Sequence, residues 1–432
     1  MRHMFPEAAS FAALIFIIGS CDLPGLGKSG FSVQRSGSED TSSRHGRETE
    51  EGTAGSDTVL YVTGVEFPEG YCWQRDSSGE SAECRIIVLR DGKEVLSVPA
   101  GGTANASSAP DMHRLVDGHL YTDCSTASGT VISCDGKELF RYDGREMICG
   151  FIVRDDGIYT LGQSRKGEGL SLRKNGEKIF SAEAGRVIGS MENSCCESGA
   201  LYEDGGDMVF CYRNTAGTAD SGYSSYYVVR NGVQEQLMPD RNIAEVYDIR
   251  YVSGVCHIAA NLSGAKAAPV LYIGEKMVQL QIFAGYHFRM GNCRILVDGD
   301  DIFVKTDYSD DCWETVSSRL WKSGGDYLST GEYRRAVDFY LEDGVWAYAF
   351  TYGDGVINGL CSEDREGRKT FTSPSGRYSM MGSSCAALKG GVFYAGLSPL
   401  SEGGYPVLMK GAVADTLRFN GYITSLRFSL PR

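Results

Sequence analysis

No apolar run in this chain of 432 residues approaches the roughly 20 residues that a membrane-crossing helix needs. Histidine is scarce, 6 in all with His3 and His45 near the N-terminus, and no two of the 14 Cys stand two residues apart. That leaves no zinc-finger spacing and argues against zinc or thiol chemistry. Basic stripes are also missing. The formal net charge is -14, and residues 1–56 hold 5 Lys/Arg against 7 Asp/Glu, so the remainder carries -12. An acidic surface of this kind repels phosphate backbones and anionic headgroups, which excludes nucleic acid as a partner of the folded part.

What the chain does contain is a repeat. A pair made of an apolar residue and, in most copies, an aromatic one recurs at Leu60-Tyr61, Leu120-Tyr121, Ile158-Tyr159, Val209-Phe210, Cys256-His257, Ile302-Phe303, Val345-Trp346 and Val392-Phe393. A turn ending in Gly follows each one: Asp91-Gly92, Asp135-Gly136, Asn175-Gly176, Asn231-Gly232, Ile273-Gly274, Ser323-Gly324, Glu366-Gly367 and Lys410-Gly411. After the first copy, that Gly falls 15 to 22 residues beyond the aromatic position. Successive anchors stand 38 to 60 residues apart, averaging about 47, the length of one four-stranded propeller blade.

Between the anchors, apolar and polar residues alternate with the period of a strand. In the third copy the pattern predicts strands at Ile148–Val153, Gly157–Leu161, Leu170–Arg173 and Lys178–Ala182, joined by turns at Asp156-Gly157 and Asn175-Gly176. Asn-Gly and Asp-Gly favour tight hairpins because both residues tolerate positive φ. The fold expected is all-β: a β-propeller of eight four-stranded blades, with seven if one weak copy, the fourth or fifth, is an insertion. A β-sandwich or open solenoid is the lesser alternative. The first copy lacks a strand before Val59, and the C-terminal segment Tyr422–Phe428 has no anchor after it, so that last strand is expected to complete the first blade and close the ring.

At the N-terminus, Arg2 and His3 precede the apolar run Phe11–Ile18, which ends in Ile18-Gly19-Ser20-Cys21. A basic segment followed by an apolar one that closes on small residues reads as an export signal. Ending on Cys, it resembles a bacterial lipoprotein signal. The resemblance implies cleavage before Cys21 and lipidation of that residue by acyl chains such as palmitate, which anchor a soluble domain to a lipid bilayer. An ordinary signal peptide with a coincidental Cys is the alternative. Residues 1–20 are thus the expected signal peptide and 21–56 a tether rich in Gly, Ser, Thr, Glu and Arg that buries too little to order itself; 57–432 form the propeller domain. A tether of that length reaches roughly 30 to 35 Å.

Among the motifs, Trp-Asp blade ends, the kelch Gly pair and the sialidase box are all missing. With Cys21 and the turns Lys174-Asn175-Gly176 and Arg230-Asn231-Gly232, the chain resembles the loosely defined bacterial lipoproteins with a β-propeller domain. That resemblance implies a location in the cell envelope, periplasmic or surface-exposed, and brings no catalytic residue and no cofactor with it.

Candidate sites are few. Export permits disulfides, and the separations propose Cys72 with Cys84 and Cys124 with Cys134. Cys149, Cys256, Cys293 and Cys385 read as small buried hydrophobes instead. The acidic run Asp307-Tyr308-Ser309-Asp310-Asp311 offers oxygen ligands to calcium but also describes a solvated hairpin tip, so no metal is assigned. His257, at an anchor position, reads as a core histidine. Trp73, Tyr223, Tyr226, Tyr227 and Trp313 fall in or beside loops, where aromatics form recognition surfaces at low entropic cost, although they could equally cover blade edges. The function expected is a membrane-tethered binding or scaffold module for a glycan, peptide or envelope protein. The competing reading is a propeller enzyme acting on polysaccharide, a glycoside hydrolase or lyase. An enzyme would gather paired carboxylates at one end of the ring, whereas a binding module would show exposed aromatics without them.

Overall fold

The computed structural model describes residues 59–429 except 75–81, 105–111, 127–128, 143–145, 165–168, 189–199, 215–224, 238–242, 263–268, 281–286, 299–300, 310–314, 323–324, 331–333, 353–355 and 382–384. The signal segment, Cys21, the tether, Tyr223, Asp310, Asp311 and Trp313 lie outside the described residues.

The chain builds eight antiparallel blades in sequence order. Blade 1 holds β1 (Val59–Glu66), β2 (Ala82–Arg90) and β3 (Lys93–Ala104). Blade 2 holds β4 (Met112–Val116), β5 (His119–Thr126), β6 (Gly129–Cys134) and β7 (Lys137–Tyr142). In blade 3, β8 (Glu146–Arg154), β9 (Gly157–Ser164), β10 (Leu170–Lys174) and β11 (Glu177–Ala182) match the four expected segments to within three residues. Blade 4 splits its inner strand into β12 (Gly185–Val187) and β13 (Tyr202–Asp204), followed by β14 (Asp207–Asn214), β15 (Ser225–Arg230) and β16 (Val233–Leu237). Blade 5 holds β17 (Ile243–Val252), β18 (Val255–Leu262), β19 (Pro269–Ile273) and β20 (Lys276–Gln279). Blade 6 holds β21 (His287–Asp298), β22 (Asp301–Ser309), β23 (Thr315–Lys322) and β24 (Gly325–Ser329). Blade 7 holds β25 (Arg335–Glu342), β26 (Val345–Thr351), β27 (Gly359–Glu363) and β28 (Lys369–Thr372). Blade 8 again splits its inner strand, into β29 (Tyr378–Ser379) and β30 (Ala386–Lys389), before β31 (Val392–Pro399), β32 (Val407–Lys410) and β33 (Val413–Thr416).

The last strand, β34 (Gly421–Ser429), returns to blade 1. It pairs antiparallel with β1 from Val59 opposite Ser429 to Glu66 opposite Gly421, supplying the inner strand that the first copy lacks. Both the eight blades and the closure match the sequence reading.

All eight anchors lie on the second strand of their blades, and the seven Gly turns among the described residues join the third strand to the fourth. The chemistry of these turns repeats. Asp135, Asn175 and Asn231 sit at φ near +50°, where their short polar side chains are tolerated. Each side-chain oxygen accepts a hydrogen bond from the start of the second strand: from the amide of Leu120 (2.8 Å), Ile158 (2.8 Å) and Met208 (2.9 Å). The turn therefore fastens the outer hairpin to the middle of its blade.

Burial runs between blades. Leu161, Leu170 and Leu172 of blade 3 pack on Leu201, Phe210 and Val229 of blade 4. Val62 and Ile87 of blade 1 meet Leu408 of blade 8 around Ile423 and Leu426 of β34. Each such side chain contributes about 1.5–3 kcal/mol when fully buried, and none could be buried by its own sheet alone. Inner strands are bulged, β17 between Val246 and Asp248 and β25 between Ala336 and Phe339. These bulges turn carboxylates toward a neighbouring blade, Asp248 to the next and Asp338 to the one before. Asp248 accepts from the Ile295 amide at 2.8 Å, and Asp338 pairs with Arg294.

Candidate functional site

Antiparallel order puts the first-to-second and third-to-fourth strand turns on one rim and all other connections on the opposite rim. The first rim is built of tight turns. The second carries longer connections, among them the described residues 67–74, 356–358 and 400–406. Long loops on a rigid scaffold are where binding residues concentrate.

Blade 7 presents an aromatic ladder to that rim. Along β26, alternate residues face one side, so Trp346, Tyr348 and Phe350 stack in sequence with Tyr352 just beyond the strand, at ring separations of 5.7, 6.2 and 5.7 Å. The opposite face carries Ala347 and Ala349, both fully buried against blade 8. The ladder starts buried at Trp346 and ends exposed: Tyr352 is 57% accessible and the adjoining Phe371 of β28 is 52%. Phe371 packs on Phe350 at 5.5 Å, and the Arg334 guanidinium lies over both rings at 5.1 and 5.7 Å. On the same rim of blade 8, Leu400 and Tyr405 are exposed, and the Leu400 amide bonds the Arg377 carbonyl at 3.0 Å. The result is a surface of flat, rigidly backed rings with a cation beside it, suited to an apolar sugar face or to aromatic and proline side chains.

The carboxylates follow another logic. Asp204, Asp248, Asp307 and Asp338 are buried, and each holds the scaffold. Asp204 accepts from the Gly254 amide of the next blade (3.0 Å), and Asp307 pairs with Arg335 (3.3 Å) and with the Ser318 hydroxyl. Glu66, at the loop-bearing end of β1, has its carboxyl raised by burial against the opposing pull of Arg85. The negative charge of Glu94 on the outer strand of the same blade adds to that rise.

Several sequence expectations change here. Trp73 is buried rather than exposed, 4% accessible and packed on Tyr422 at 5.2 Å. Tyr226 is buried within β15; Tyr227 is half-buried and stacked on Tyr212 at 5.2 Å, so neither forms a free recognition surface. Asp307 lies within β22 and is fully buried, because the strand runs on to Ser309 through the acidic stretch. It cannot join a solvent-facing calcium loop.

The proposed disulfides are not formed. The Cys72 thiol donates to Gln74 Oε1 at 3.5 Å, while Cys84 is buried beside Trp73. In the second blade Cys124 stands opposite Val131 and Cys134 opposite Tyr121, three residues away along the ladder. At about 3.3 Å per residue that offset is about 10 Å, beyond the Cα separation of a disulfide. Burial raises the thiols of Cys211, Cys293 and Cys361 above their ordinary range, and that of Cys256 to about 11. His257 is buried as expected, with Nδ1 donating to the Val255 carbonyl at 3.0 Å.

Sequence reasoning missed the ladder, although its alternation of aromatic and small residues from Trp346 to Tyr352 is plain. It also missed a cluster on the tight-turn rim of blade 2. His119 Nδ1 stands 2.7 Å from Asp135 Oδ2, and both lie within 4.8 Å of Cys134 Sγ. Burial pulls the Asp135 carboxyl up, but hydrogen bonds from His119 and the Leu120 amide outweigh it and hold the group below its ordinary value.

No family model matches the chain, and no curated protein matches it. Solved structures do. The chain is similar to the dihydro-heme d1 dehydrogenase NirN in complex with DHE, at 9% identity over 88% of this chain and 77% of that one, with a TM-score of 0.51. It is also similar to the β-propeller domain of the Trilobed protease from Pyrococcus furiosus, at 10% identity over 85% of this chain and 94% of that one, with a TM-score of 0.37. At 9% identity the likeness to the first of these is one of fold, and the chain's own sheets make that fold an eight-bladed β-propeller.

Proposed function

We propose that this protein is an exported, lipid-anchored binding module whose propeller holds a glycan, peptide or protein partner on the loop-bearing rim of blades 7 and 8. One observation carries the reading: Tyr352 and Phe371 stay exposed at the end of an otherwise buried aromatic ladder, with Arg334 over the Phe371 ring. Rings fixed by packing lose little entropy when a ligand stacks on them. Asp204, Asp248, Asp307 and Asp338 are each committed to joining blades, which speaks for binding over hydrolysis. Cys21 would hold the domain at a bilayer through its acyl chains, in the bacterial cell envelope.

The test is a glycan and peptide array probed with the intact protein, followed by incubation of any hit to look for cleavage. Saturable binding, weakened at least about tenfold by Tyr352→Ala with an unchanged melting temperature, supports the module. Cleavage of the ligand would move the protein to the enzymes, and binding indifferent to Tyr352 would remove the rim from the argument. Metabolic labelling with a fatty acid, lost in Cys21→Ser, tests the anchor.

A further inference from the structure

The cluster on the tight-turn rim of blade 2 is remote from the aromatic ladder and owes nothing to the function proposed for it. We propose that His119, Cys134 and Asp135 form a binding site for a thiophilic divalent cation of the zinc class.

The donor set selects the ion. One imidazole nitrogen, one sulfur and one carboxylate oxygen suit zinc, whereas calcium and magnesium require oxygen throughout. The three donor atoms lie within 4.8 Å of one another. Tetrahedral zinc with bonds near 2.0–2.3 Å separates its ligands by about 3.3–3.7 Å, so the cluster needs only a small adjustment about an ion. His119 can provide it, since its side chain is 60% accessible.

The scaffold holds the other two donors. Tyr121 and Cys134 are paired across β5 and β6, which fixes the height of the sulfur on the sheet. Asp135 occupies the positive-φ position of its hairpin, and its Oδ1 accepts the Leu120 amide at 2.8 Å, leaving Oδ2 turned to His119. A carboxylate oriented in this way by a backbone donor is the usual support of a metal ligand. Three protein ligands leave the fourth position of the tetrahedron to solvent. The net charge of -14 also favours the approach of a cation.

The turn supplies a variant that should preserve the fold. Asp135→Asn restores the Asn-Gly pair that blades 3 and 4 use at the same place, with the same side-chain bond to the second strand. It removes the charge and retains the hairpin. Full-length protein, metal-free and reduced, is titrated with Zn²⁺ against a chelating dye and separately with Co²⁺. The expected result is one equivalent bound with a thiolate-to-cobalt charge-transfer band. Cys134→Ser should abolish the band, and His119→Ala and Asp135→Asn should each weaken binding at least about tenfold. Cys72→Ser should change nothing, and all four variants should melt as the parent does. Zinc binding no tighter than about 0.1 mM, a cobalt complex without the thiolate band, or affinities unmoved by the three ligand variants would each overturn the site.

Discussion

Removing β34 should dismantle the ring rather than shorten it. Tyr422, Ile423 and Leu426 are each at most 4% accessible in this strand. At about 1.5–3 kcal/mol apiece their burial contributes about 5–9 kcal/mol, comparable with the whole stability of an ordinary domain. Deleting residues 421–432 also strips the partner from β1 along its full length, from Val59 to Glu66. A chain ending at Asn420 should therefore show no cooperative melt and should associate through the open edge. A milder form of the same perturbation is Ile423→Ala. Its side chain is fully buried and packs so closely that a Cβ built on Gly396 would lie 2.6 Å from Ile423 Cγ2. The cost expected is about 2–5 kcal/mol. With an unfolding entropy of about 2.1 cal/mol/K per residue, a domain of about 370 residues loses about 4 °C in melting temperature for 3 kcal/mol. Val413→Ala, at a side chain 64% accessible on the outer strand, is the control and should move the melt by less than about 1 °C. Calorimetry with size-exclusion chromatography reads all three. A truncated chain that stays monomeric and melts cooperatively near the parent temperature would refute the closure argument.

Two further outcomes follow from the turns and the core. Asn175→Ala loses the acceptor of the Ile158 amide and leaves at φ +50° a residue without the short polar side chain that tolerates it, which should cost about 1–3 kcal/mol in denaturant unfolding. Asn175→Asp, the chemistry of blade 2, should cost far less. Burial lowers the pKa of His257 from its ordinary 6.5. The folded state thus prefers the neutral ring, and the stability this provides is present above pH 6.5 and lost as pH falls through the folded value. Melting temperatures at pH 7.5 and 5 should differ more for the parent than for His257→Phe, which carries the ring found at this anchor position in blades 4, 6 and 8.

The eight blades were legible because their punctuation is local: Asn175-Gly176 or Asp135-Gly136 fixes a hairpin whatever surrounds it. Ring closure was legible for the same reason, as one copy lacked a strand and another segment lacked a copy. What escaped depends on register and depth. Trp73 sits in an insertion among polar residues, and nothing local shows that Tyr422, some 350 positions away, covers it. Asp307 belongs to an acidic run, yet a strand extending to Ser309 carries it inside, where Arg335 of the next blade meets it. The pairing of Cys124 with Cys134 fails by an odd offset that sequence separation does not display. The His119, Cys134 and Asp135 cluster was invisible for the converse reason: two paired strands bring together residues that share no motif.

Burial, complete at Cys211 and Cys293 and partial at Cys256, has a chemical consequence of its own. A thiol with a pKa of about 11, as at Cys256, is ionised about one part in ten thousand at pH 7, against about one in a hundred for a group at 9. Disulfide exchange proceeds through the thiolate, so these side chains are slow to oxidise or to scramble once the blades have closed over them. The interior around these cysteines is therefore slow to respond to its redox surroundings. Cys211 and Cys293 can stay reduced under oxidising conditions, and adding a reductant should leave them unchanged.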